Sequence, residues 1–207
     1  SRDADIVVIC AGPLPAVNQS RLDTLADTVA CIGGAIGPIV ASGFSGVFVV
    51  ISNPCDVIAQ YVWRKSGFPK NRIIATSTAL DSARLRRALS DATGIDSKSI
   101  EAFSMGEHGA SQMVPWSQVR LCGKSLARWM EERPDTFGRL DLREIRDRAA
   151  TVGYTILGGK GSTEFGIGTA LAEIAKAIFH NEHKMLPVSV CLEGEYGQRG
   201  IFASVPC

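Results

Sequence analysis

Short, continuously apolar runs alternate with longer helical patterns through the first ninety residues. Ile6 to Ala11 is apolar and β-branched, the pattern of a strand buried on both faces. The glycine and two prolines of Gly12-Pro13-Leu14-Pro15 forbid regular structure and predict a loop. Ser20 is placed to cap a helix that starts near Arg21 and reaches about Ser42, disturbed by Gly33-Gly34 and Pro38. Gly46 to Ser52 is a second buried strand, broken by Asn53-Pro54. Asp56 to Ser66 reads as a helix, Gly67-Phe68-Pro69 as a turn, Arg72 to Ser77 as a third strand and Thr78 to Ala92 as a helix. This order predicts right-handed βαβ units and a parallel sheet.

After Gly94 the pattern changes. Ser99 to Met105 and Gln112 to Leu121 alternate polar with apolar, which predicts an antiparallel region. Asp141 to Leu157 and Thr163 to Glu182 are strongly helical. Met185 to Glu193 and Gly200 to Val205 read as strands around the turn Gly194-Glu195-Tyr196-Gly197. The fold class is α/β: half of a doubly wound parallel sheet, followed by an α+β domain.

Composition removes several classes of function. A formal net charge of +1 gives no electrostatic case for nucleic acid or an acidic membrane surface. The six cysteines form no Cys-x-x-Cys pair and several sit in apolar runs, which predicts buried, reduced thiols rather than a disulfide framework. No apolar stretch reads as long enough to span a bilayer and no secretory pattern is seen, so a soluble, cytoplasmic protein is expected. The abrupt ends, Ser1-Arg2-Asp3-Ala4 running straight into a strand and Val205-Pro206-Cys207 just after one, suggest a piece of a longer chain.

Candidate chemistry gathers around Gly106-Glu107-His108-Gly109. Imidazole is the one side chain whose unperturbed pKa lies near neutrality, and flanking glycines allow close approach of a ligand. In open parallel sheets ligands bind at the carboxyl ends of the strands. Arg21, Asn53, Asp81 and Arg84 all follow such ends, so the topology can bring them to one cleft with His108. An aspartate beside a histidine fixes its tautomer. Asp81 and Arg84, three apart on a helix, share a face, and arginine's planar fork matches a carboxylate. Asn53 can donate to a carbonyl without carrying charge, and Arg21 follows a loop able to move as a lid. Together they suggest a small carboxylate substrate with a polarised neighbouring carbon.

Plainer readings stand beside these. Asp81 and Arg84 alone make a helix-surface ion pair, Arg21 alone is a solvated side chain, and Asn53-Pro54 alone is a turn. His108 stands open between a functional and a structural role. His180 and His183 share a helical face but lack a third ligand, so no metal is expected. Lys160-Gly161-Ser162-Thr163 lacks the glycine lead-in of a phosphate loop.

As an ordered set these segments resemble the L-lactate and malate dehydrogenase superfamily. The matching pieces are Ala11-Gly12…Ser20-Arg21-Leu22, Ile51-Ser52-Asn53-Pro54, Ser66-Gly67-Phe68-Pro69, Leu80-Asp81-Ser82-Ala83-Arg84, Gly106-Glu107-His108-Gly109 and Lys160-Gly161-Ser162-Thr163. The runs Ser42-Gly43-Phe44…Asn53-Pro54 and Ser111-Gln112 look closest to L-2-hydroxyisocaproate dehydrogenases. The resemblance implies an NAD-dependent oxidoreductase that interconverts an L-2-hydroxy acid and a 2-oxo acid, lactate or a larger apolar analogue. A malate dehydrogenase or a non-catalytic interaction module is the alternative.

By motif position His108 would exchange the substrate proton with Asp81 as its partner. Arg84 would bind the substrate carboxylate, Arg21 would polarise the ketone, and Asn53 would bond the substrate oxygen and the nicotinamide side. Ala11, Gly12, Ser52 and Ile167 would lie along the cofactor, and Thr163 against the substrate. Pro15 falls at the substrate-selecting position. Being apolar, it cannot pair the second carboxylate of oxaloacetate and suits a larger apolar 2-oxo acid.

The resemblance also implies a partial, Rossmann-type dinucleotide-binding domain over residues 1–77, without its glycine-rich first half. A substrate domain follows over residues 78–207, without its C-terminal end. The 207 residues alone are therefore expected to bind NADH weakly. A homo-oligomer, dimer or tetramer, is implied as well, with the helices starting at Arg21 and Thr163 as oligomer or interdomain surfaces.

Overall fold

The computed structural model describes residues 1–13 and 21–207, with Arg21 described in its backbone only. Three short parallel strands, β1 (Ile6–Ile9), β2 (Val47–Val50) and β3 (Ile73–Ala75), are linked by helices α1 (Leu25–Ala41) and α2 (Cys55–Ser66). Their apolar runs are what a sheet covered on both faces needs: Phe48, Val49, Val50, Ile73 and Ala75 are fully buried. Ile32 and Ile36 of α1 and Ile58, Ala59 and Val62 of α2 pack on this sheet. Phe44, Phe48 and Phe68 close its edge with ring centroids 5.0–5.6 Å apart.

Helix α1 runs unbroken through Gly33-Gly34 and Pro38, against the expected disturbance. Its apolar face is anchored at Thr28, Ile32 and Ile36. Gly33 also serves the packing, since a Cβ there would lie 2.9 Å from the Tyr61 hydroxyl of α2. Continuity has a second consequence. Leu22–Ala41 is, by length and composition, apolar enough to cross a bilayer, contrary to the expectation that no stretch is. Splitting the run at its glycines and proline hid this.

Helix α3 (Ala79–Thr93) leads into a small antiparallel sheet of β4 (Ile100–Glu101), β5 (Arg120–Leu121) and β6 (Lys124–Ser125). Helices α4 (Leu126–Glu132), α5 (Leu142–Lys160) and α6 (Phe165–His180) follow. Asp141 caps α5, its carboxylate accepting from the amides of Arg143 and Glu144. A second core joins Leu85 and Leu89 of α3 to Ile100, Leu121, Leu126, Ile145 and Ala149.

The long strands expected over Ser99–Met105 and Gln112–Leu121 are mostly absent. Alternation is real, with Ala102 and Ser104 buried, but the backbone of Ser104 bonds to side chains instead of a strand. Its amide donates to the Ser82 hydroxyl at 2.9 Å, and its carbonyl accepts from Thr78 at 2.6 Å. Pro115 and the 3₁₀ turn Trp116–Gln118 interrupt the second run.

The last two strands, β7 (Pro187–Glu193) and β8 (Arg199–Pro206), form a hairpin that returns to the first sheet. β7 pairs antiparallel to β3 at Ala75 and Ser189, giving the order β1-β2-β3-β7-β8.

Candidate active site

The ends of the parallel strands, α3, α5 and the start of α6 enclose a cavity of about 210 Å³. On the sheet side it is lined by Ala11 and Gly12 after β1, Ser52 and Asn53 after β2, and Thr76 after β3. The Ser52 hydroxyl donates to the Ala11 carbonyl at 2.6 Å, tying the first two strand ends together. Thr28 reaches over from α1 to donate to the Asn53 carbonyl at 3.0 Å. Gly12 has φ +136°, and a Cβ there would lie 2.8 Å from the Thr28 hydroxyl oxygen, so only glycine fits. The Asn53–Pro54 peptide is cis. The Asn53 side-chain oxygen is buried with no hydrogen-bond partner among the described residues, an acceptor open to a further donor.

On the helical side stands the histidine. His108 Nδ1 lies 2.5 Å from Asp81 Oδ2, and Arg84 Nη1 donates to Asp81 Oδ1 at 3.0 Å. One carboxylate thus joins the histidine and the arginine. The Asp81 side chain is 1% exposed, Arg84 12% and His108 11%, so in place of the plainer helix-surface ion pair there is a buried network on the cavity wall. Arg84 has close company: a Cβ at Gly153 of α5 would sit 3.1 Å from its Nη2. The segment before the histidine is fastened to β8 by paired backbone bonds between Gly106 and Ser204, at 2.8 and 2.9 Å.

Of the residues singled out in the sequence, His108, Arg84, Asn53, Ala11, Gly12, Ser52, Thr163 and Ile167 line this one cavity, and Asp81 stands behind His108 and Arg84. Pro15 and the side chain of Arg21 lie outside the described residues; the Arg21 backbone opens the 3₁₀ turn Arg21–Thr24. Thr76, Leu80, Gly153, Tyr154 and Leu157 also line the cavity and were missed. Gly153 left a trace in the sequence as a glycine inside a helical pattern, and Leu80 stands at the head of the Asp81–Arg84 motif.

Among the described residues no cluster of three potential metal ligands occurs. All six cysteines are free, but only Cys55 is buried, so the expectation of buried thiols holds at one position. Cys10, Cys31, Cys122 and Cys207 are exposed because their short apolar runs end in loops, turns or helix faces.

Parallel strands with a polar cleft at their carboxyl ends define an α/β protein with a ligand site where such sheets place one. Residues 1–75 match the family profile described as lactate/malate dehydrogenase, NAD binding domain, and residues 78–207 that described as lactate/malate dehydrogenase, alpha/beta C-terminal domain. The chain belongs to the lactate/malate dehydrogenase family.

Among its relatives, L-lactate dehydrogenase 3 of Bacillus cereus is 47% identical over 205 residues, covering 99% of this chain and 65% of that protein. L-lactate dehydrogenase 1 of Bifidobacterium longum is 42% identical with the same coverage. The ligand-bound minor L-lactate dehydrogenase from Enterococcus mundtii superposes with a TM-score of 0.92 at 36% identity, covering 99% of this chain and 65% of that one. Malate dehydrogenase from Cryptosporidium parvum gives 0.90 at 27% identity, again with 99% and 65% coverage. The chain spans about 65% of the length of the curated relatives it matches.

Proposed function

We propose that this chain carries the reaction centre of an NAD-dependent L-2-hydroxy acid dehydrogenase. The observation that carries this reading is the buried Asp81 carboxylate, shared between His108 and Arg84 on the wall of a polar cavity. In the direction of reduction, protonated His108 gives a proton to the oxygen of the 2-oxo acid through its other ring nitrogen, and Asp81 holds the ring in one tautomer. Oxidation reverses that transfer. Arg84 uses one of its five N–H donors on Asp81 and offers others to the substrate carboxylate. By its motif position, Arg21 polarises the carbonyl.

The residues present fit a nicotinamide head group. The Asn53 side-chain oxygen is a buried acceptor without a donor among the described residues, as a carboxamide would require, and Gly12 leaves the backbone open to close approach. When bound, NADH would supply the hydride for the substrate carbon. Ala11, Gly12, Ser52, Asn53 and Ile167 would lie along the cofactor, and Thr163 would face the substrate.

Lactate is supported by the names of the bacterial relatives. An apolar residue at Pro15 favours extending the range to larger apolar 2-oxo acids. Steady-state NADH oxidation by the complete gene product would test both points. Pyruvate and 2-oxoisocaproate should turn over with comparable kcat/KM. Strong preference for oxaloacetate would refute the substrate assignment, and no turnover of any 2-oxo acid would refute the dehydrogenase.

We place the enzyme in the cytoplasm as a homo-oligomer, its free cysteines and family membership supporting the first. The exposed apolar side chains Leu22 beside α1, and Phe165 and Phe179 on α6, support the second. A monomeric sedimentation coefficient at micromolar concentration would sink the oligomer.

A further inference from the structure

Asp56 is the second residue of α2, three positions past Asn53, and it is buried. Its two oxygens serve two other segments of the chain. Oδ1 accepts from the Ser77 hydroxyl at 2.7 Å, and Oδ2 accepts from the backbone amide of His108 at 2.9 Å. Ser77 has φ +37°, a conformation unfavourable for a residue with a Cβ, and it stands just ahead of the helix that presents Asp81 and Arg84. The segments bearing Asn53, the Asp81–Arg84 pair and His108 therefore converge on one carboxylate.

The histidine segment needs such a hold. Gly106 and Gly109 flank His108, and glycine gives the backbone little stiffness of its own. Asp81 restrains the ring at Nδ1 and Asp56 restrains the main chain, so the imidazole is fixed from both ends. Both bonds to Asp56 end on its carboxylate, the Ser77 one buried and the His108 one partly buried, and shielding from water strengthens such bonds.

We propose that Asp56 is a positioning residue for the acid–base histidine: it sets the His108 main chain against the end of β3, so that the ring meets the substrate oxygen in register. This rests on the dehydrogenase reading. Asparagine has the same shape but one acceptor oxygen where aspartate has two. With an NH2 in place of one oxygen, either the His108 amide loses its acceptor or the Ser77 hydroxyl must reverse and accept from the NH2, and the bond that remains to the His108 amide no longer ends on a carboxylate.

The test uses the complete gene product with Asp56→Asn and Ser77→Ala. Asp56→Asn should lower kcat about 100-fold, the scale of a small misplacement of a reacting group. KM for the 2-oxo acid should stay within about threefold, because Arg84 keeps its place. In nitrogen–proton spectra the His108 backbone amide should move upfield as its charged acceptor is lost. Ser77→Ala leaves the carboxylate to His108 and should keep kcat within about tenfold of the parent.

A kcat for Asp56→Asn within about threefold of the parent overturns the proposal. So does an equal loss in both variants accompanied by a matching fall in Tm, which marks general destabilisation. If Asp56→Asn does not fold, the parent decides. A His108 amide at an ordinary, unshifted position overturns the bond to Asp56, and a strongly downfield one supports it. That spectrum needs no cofactor or turnover, so it stands even if the protein proves inactive on every 2-oxo acid.

Discussion

The two walls of the cavity are built by different physics. The sheet wall is the end of a hydrogen-bonded ladder over a tightly packed apolar core, with Phe48, Val49 and Val50 wholly buried beneath it. Its site residues are backbone extensions of that ladder. The helical wall holds His108, Asp81 and Arg84 through side-chain hydrogen bonds, and the Ser104 backbone beside it bonds to Ser82 and Thr78 instead of a strand. The lesson is a division of labour. The sheet supplies rigidity shared among many contacts, while the proposed chemistry rests on a handful of polar bonds that single atoms can break. Substitutions in the sheet should therefore be felt in stability, and substitutions on the helical wall in turnover.

The largest expected effect is on the helical wall. His108→Asn should cut kcat about a thousandfold, the range of a lost general acid–base group, with Tm nearly unchanged. Retention of a tenth of the parent's turnover would remove His108 from the chemistry.

Next is the contrasting break in the sheet. Phe48→Ala should lower unfolding free energy by about 3–5 kcal/mol, read from urea denaturation, while the fraction that remains folded keeps its kcat. A selective loss of kcat with stability intact would show that the two walls are not separable.

The smallest sharpens the comparison within the helical wall. At Gly153 an added methyl meets the Arg84 guanidinium, already held by Asp81, and one of the two must shift. Gly153→Ala should raise KM for the 2-oxo acid about five- to tenfold, the scale of about 1 kcal/mol of overpacking, with a smaller change in kcat. An unaltered KM would mean that Arg84 gives way without leaving the substrate.

The sequence by itself determined the parallel βαβ order, because fully buried strands must be apolar along their whole length. It also determined the set His108, Asp81, Arg84 and Asn53, because these residue types follow strand ends where the topology must gather them. It could not show that α1 is continuous, since the packing that overrides Pro38 and Gly33 is tertiary. Nor could it show that the stretch around Ser104 is not a strand: alternation reports burial, whereas a strand also requires a partner strand, and here side chains of α3 take that place.

Only the tertiary structure returned β7 and β8 to the first sheet, through a single pairing at Ala75 and Ser189. It alone placed Gly153 under Arg84 and turned Asp56, one more acidic residue in a helix's first turn, toward the histidine's main chain. These contacts join residues 52 to 114 positions apart. Local pattern does not encode such distances; they are set when helices and loops pack around the cavity.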